Sequence, residues 1–114
     1  MGETDGNAGM LLVQLAQWGA VSGIQDATGV VFGRDFDPES ADPHDDPVRK
    51  VLTWGETLGT LTKNGLISQD LVTDWIWVAG LWARVARAAR VARAEAGEDR
   101  LYENFEALAK ADIG

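Results

Sequence analysis

The run "LWARVARAARVARAEAG", Leu81 to Gly97, sets Arg84, Arg87, Arg90 and Arg93 into an alanine-rich background and constrains the fold class more than any other stretch. Alanine and arginine are both strong helix formers. At about 100° per residue, Val78, Leu81, Trp82, Val85, Ala89, Ala92 and Ala96 gather on one side, and the arginines fan across the other. The pattern predicts one long helix from about Gln69 to about Ala96. A spacing of three drifts by about 60° per step, so the arginines make no straight ladder and read as a solvated or salt-bridged outer face. The preceding "LVTDWIWVAGLW" points Val72, Trp75, Ile76, Trp77 and Trp82 in nearly every direction. Such a helix is enclosed by neighbours or faces a second chain.

The remaining segments follow the same logic. "MLLVQLAQWGAVSGIQDA" reads as a first helix with Leu11, Leu15 and Trp18 on one face, after an unstructured start at 1–8. "DPVRKVLTWGETLGTLTKNG" reads as a second, with Asp46 as cap, Pro47 at the first helical position, and a stripe of Val51, Trp54 or Gly55, Leu58 and Leu61. Ser68 is placed to cap the long helix, making an antiparallel hairpin of the two, and "RLYENFEALAKA" supplies a closing helix with Leu101, Phe105, Leu108 and Ala109 inward. Between the first two lies an acidic loop, 33–46, with a short extended piece at "GVVF" before it. The expected fold is all-α: one domain over 1–114, a bundle of about four helices built around a long helical hairpin. Two glycine pairs, Gly19 with Gly23 and Gly55 with Gly59, each follow a tryptophan. Glycines four apart open a groove for another helix or an indole ring, a return on the roughly 1 kcal/mol that each costs in a helix.

Charge and composition narrow the function. A net charge of -8 repels phosphate backbones, and the aromatics lie on the side away from the arginines, which disfavours nucleic acid. The absence of cysteine excludes disulfides, thiolate catalysis and cysteine zinc sites. The start "MGETDGNAG" has no basic region, and the apolar run after it stops at Gln14, so no leader or membrane span is expected and a cytoplasmic location is the default.

Candidate sites compete with plainer roles. In the acidic loop Asp35, Asp37, Glu39, Asp42, Asp45 and Asp46, with His44 among them, could receive a cation or a basic protein, but their spacing follows no known loop and solvation is the plainer reading. Laying a calcium loop on "TLTKNGLISQDL" puts Thr60, Thr62, Asn64 and Leu71 at ligand positions without a carboxylate, which excludes it. Glu56 and Asp74 could pair as carboxylates. A structural role, meeting an arginine or capping a neighbouring helix, suits Glu56, Asp74, Glu103 and Asn104 better. With one histidine, no nucleophile-base pair can be drawn. No metal and no cofactor are expected.

The segment "VLTWGETLGTLTKNGLISQDLV", then Trp82 in a helix that becomes arginine-rich, then "LYENFEALA", resembles the helical proteins of domain-of-unknown-function family 4760 over roughly Val48 to Lys110. The resemblance implies an all-helical fold and no particular chemistry. It also implies an N-terminal membrane helix in many members. Here Gln14, Gln17, Ser22 and Gln25 interrupt the apolar run, so tethering is not carried over. The chain therefore reads as a non-enzymatic interaction module, a homo-oligomer or the partner of another protein, with Trp75, Trp77, Trp82 and Glu56 as candidate interface or pocket residues. The alternatives are a small-molecule-binding or enzymatic helical domain with a Trp-lined pocket, and an acidic inhibitor of a basic protein.

Overall fold

The structure is a computed structural model that describes residues 2–113, with side chains described for 9–112. Its elements are α1 (Gly2–Ser22), α2 (Ile24–Val31), α3 (Asp46–Lys63), α4 (Gln69–Trp75), α5 (Val78–Ala96) and α6 (Glu103–Ile113), with a 3-10 turn at Pro38–Ser40. Among the described residues there is no strand. The expected unstructured start at 1–8 falls on the backbone of α1 from Gly2, while Met1 and the side chains of 2–8 lie outside the described residues.

Local signals in the sequence act as local chemistry requires. Ser68 accepts a hydrogen bond from the Leu71 amide at 3.0 Å, and Pro47 lies in the first turn of α3 where its missing N–H costs nothing. The helix begins one residue earlier than expected, with Asp45 and not Asp46 at the cap position and no side-chain cap bond. In α3, Val51, Leu52, Trp54, Gly55 and Leu58 are buried, so its apolar stripe forms the centre of the core.

The architecture differs from the expected four-helix arrangement in three places. The long helix is two helices, because Ile76 takes an extended conformation (φ -129°, ψ 133°) between α4 and α5. A straight helix would carry Trp75, Ile76 and Trp77 on three different sides, with neighbours to bury only some of them; the break turns both indoles to one side. The first helix bends at Gly23 (φ 80°), and "GVVF" is the end of α2, whose Ile24, Ala27 and Val31 are buried at helical spacing. The principal neighbours of α3 are α6 and α2 rather than the helix that follows it.

The glycine groove explains this last point. A Cβ at Gly55 would collide with the Phe105 ring, and one at Gly59 with the backbone of Asn104 and Phe105, so the start of α6 sits directly in α3. Tyr102 takes a left-handed conformation (φ 62°) to bring α6 in, which costs about 1 to 2 kcal/mol for a residue with a side chain. Glu56 holds the docked end: Oε1 accepts from the amides of Asn104 and Phe105, both at 3.0 Å, and Oε2 from Asn104 Nδ2 at 2.8 Å. A carboxylate at a helix N-terminus meets both the unpaired amides and the positive end of the dipole. At the other end of α6, Asp112 accepts from the Ala79 amide at 2.9 Å and so holds the first turn of α5.

The arginines are not a uniformly solvated face. Arg84 donates to the carbonyls of Val31 (2.6 Å), Phe36 (3.1 Å) and Gly33 (3.3 Å), and its guanidinium lies over the Phe36 ring. Arg87 donates to the Ala41 carbonyl at 2.9 Å. Arg93 donates to the Leu101 carbonyl at 2.7 Å and to Glu106 at 2.9 Å. Arg90 alone of the four is exposed. Three arginines therefore bind connecting segments to α5 through carbonyls at the end of α2 and in the loops.

Candidate functional site

The concave feature richest in aromatic rings opens where the two breaks in the chain meet. The bend at Gly23 and the interruption at Ile76 bring α1, α2, α3 and the α4–α5 junction around a cleft of about 380 Å³. Its walls include Trp54, Trp75, Trp77, Phe32, Gly19 and Ile24. Trp54 anchors the floor: it is buried, meets Trp75 edge to face (centroids 5.7 Å apart, 80° between planes) and meets Trp18 at 5.2 Å. Trp77 stacks on Phe32 with planes within 2° and centroids 5.8 Å apart. Its ring also lies against Gly80, where any Cβ would collide with it. The indole is thus held at the rim by a stack and by a close approach to the helix. Even so, 69% of Trp77 remains exposed, and Phe32 and Trp75 in the same cleft are exposed as well.

The chemistry of this cleft is neutral. Gln25 and Thr28 are its polar side chains, and no acid, base or cation lines it. It can offer aromatic faces, dispersion and two hydrogen-bonding side chains, a surface suited to apolar or planar groups. Among the described residues no group of three or more His, Asp or Glu side chains could hold a metal ion.

Of the four residues singled out by sequence, the structure brings Trp75 and Trp77 together in the cleft. Glu56 lies elsewhere, with its oxygens taken up by the start of α6. Trp82 is also elsewhere, packed edge to face on Phe105 (5.1 Å) beneath the Arg93 guanidinium. Asp74 is exposed and does not meet Glu56. Sequence reasoning missed Phe32 and Trp54 as cleft residues, and Trp18 as the ring that packs on Trp54. The signal available was the glycine after Trp18: a Cβ on Gly19 would press on Ile24 at 2.7 Å and on Trp54 at 3.3 Å, so that glycine lets α1 lie close to the Trp54 indole.

The acidic loop uses much of its charge internally. Asp37 accepts from the Glu39 amide and from Ser40, Asp42 accepts from the His44 amide, and Asp46 pairs with Lys50 and Arg49. The bond from Lys50 holds the Asp46 carboxyl below its usual range, with Arg49 adding to the effect. His44 reaches across to Glu95 at 2.8 Å. These bonds give the carboxylates of Asp37, Asp42 and Asp46 structural partners, while Arg84 and Arg87 hold the loop backbone.

No helix among the described residues is long and apolar enough to cross a membrane. A family model, described as a domain of unknown function (DUF4760), matches residues 16–111. The match reaches back from the motif-bearing region at Val48 to Lys110 across α2 and the last part of α1, and so takes in the whole cleft. No curated protein and no solved structure matches the chain.

Proposed function

The chain belongs to the DUF4760 family, and because that membership leaves its activity open, we propose that it is a non-enzymatic helical interaction module whose contact surface is the aromatic cleft and the side of α1 that borders it. The observation that carries this reading is Trp77. The chain interrupts its longest helical run beside this residue and leaves 69% of it exposed at the rim. Burying an indole is among the larger single gains available to a domain of this size. Open aromatic rings clustered at one cleft mark a contact surface more often than a folding solution. The neutral lining supports binding rather than catalysis, since it brings no acid-base pair to the cleft. The partner is a protein, and a second copy of the chain is the simplest one.

A photo-cross-linking residue in place of Trp77 tests this. The interaction reading expects a protein adduct from position 77 that is lost when Trp75→Ser is added to the same chain. A second reading is favoured by the size of the cleft, which falls at the lower end of the range for small-molecule sites. A melting temperature raised by a planar neutral compound, with no protein adduct at position 77, would select it.

A further inference from the structure

We infer that the outer face of α1, turned away from its cleft-lining residues Ala16, Gly19 and Ala20, is covered by α1 of a second copy, packed antiparallel across a twofold axis. The inference goes beyond the cleft and shares with that reading only the premise of a protein contact. From Gly6 to Gln25 the sequence carries no charged residue, although the chain as a whole has a net charge of -8. Two such acidic chains repel one another overall, and this uncharged strip adds nothing to that repulsion, which makes it a favourable place for a homotypic contact. Within the chain α1 packs mainly on α2 and leaves its outer face open: Met10 is 66% exposed, Val13 57% and Val21 88%.

That face complements itself. At about 100° per residue, Met10, Gln14, Gln17 and Val21 fall on one stripe, and all four are exposed. An antiparallel pairing centred between Gln14 and Gln17 sets Met10 against Val21 and the Gln14 amide against the Gln17 amide. Twofold symmetry makes each contact occur twice. Apolar groups then meet apolar groups. Each amide, which can both donate and accept, meets another amide instead of being buried alone. The same pairing lays the Met10 end of one helix over the Val21 end of the other.

The test is the mass of the full chain by light scattering at about 0.05 M and about 0.5 M sodium chloride, for the wild type, Met10→Lys, Val21→Glu and an equal mixture of the two variants. The wild type should be a dimer, bound about tenfold more tightly at the higher salt, because salt screens the repulsion between two acidic copies. A contact between this chain and a basic partner would weaken with salt instead. Each variant alone should be a monomer, since its pairing strands two charges against apolar side chains. The mixture should recover the dimer, with the new lysine meeting the new glutamate once and Met10 meeting Val21 once. Both positions are exposed, so circular dichroism should show an unchanged fold. A wild type monomeric at both salts, variants that dimerise like the wild type, or a mixture that stays monomeric overturns the pairing. The adduct from position 77 decides the cleft reading separately, so failure of the one is not failure of the other.

Discussion

The two ends of this domain treat their side chains in opposite ways. Around Phe105, every strong demand is met from within: the ring fills the groove at Gly55 and Gly59, Glu56 takes the first amides of α6, and Arg93 joins the loop before α6 to Glu106. Around Trp77, rings stay open to solvent on a neutral cleft beside the uncharged stretch of α1 that begins at Gly6. The contrast separates folding from contact. A domain of this size holds its fold by only about 5 to 15 kcal/mol, and here the well-packed end supplies it and leaves the other end free to keep apolar surface exposed.

The largest expected effect lies at the packed end. Phe105→Ala leaves a cavity in the α3–α6 contact and should cost about 3 to 5 kcal/mol by chemical denaturation, enough to leave the domain marginal. A loss near 1 kcal/mol would mean that α6 is held by Glu56 alone and would erase the contrast.

Next come the arginines, which sharpen it within one helix. Arg84→Gln removes a charged donor from three carbonyls and should cost about 2 kcal/mol, whereas Arg90→Gln, on an exposed residue, should stay within about 0.5 kcal/mol. Equal effects at both positions would return α5 to a uniformly solvated face. Amide exchange read on the Arg84→Gln variant should show faster exchange at the end of α2.

A smaller effect appears in acid. Burial pushes the Glu106 carboxyl up, but the hydrogen bonds from Arg93 and Lys110 outweigh it and hold the group below its ordinary 4.5. A group held low contributes stability that is present above its unfolded value and lost as pH falls through the folded one. The melting temperature should therefore decline as pH drops below about 4.5, and Glu106→Gln should remove part of that slope. An identical slope in the variant would show that this pair does not bind α5 to α6.

The smallest effect is expected at the open end. Trp77→Ser removes a ring that is mostly in water and should change stability by no more than about 1 kcal/mol, the worth of its stack on Phe32. A loss as large as that at Phe105 would make Trp77 a folding residue and break the comparison at its other side.

The sequence by itself determined the helical class, the cap at Ser68, the place of Pro47 in the first turn of α3, the buried stripe of α3 and the existence of a groove at Gly55 and Gly59. These are consequences of propensity, period and the missing Cβ, all of which act within a few residues. It also marked Glu56 for a structural role, without deciding between an arginine partner and the cap of a neighbouring helix. Tertiary structure decided what fills the groove, because nothing local in "ENFEALA" points to a partner some fifty positions earlier. It decided the roles of the arginines, since their acceptors are backbone carbonyls of Val31, Phe36, Ala41 and Leu101, and every residue carries such a carbonyl without marking the sequence. It decided the break at Ile76 as well. Helical propensity favours continuing through "DWIWVAG", but a continuous helix would spread its indoles over several sides, and the packing of α3, α5 and α6 has room for only part of them.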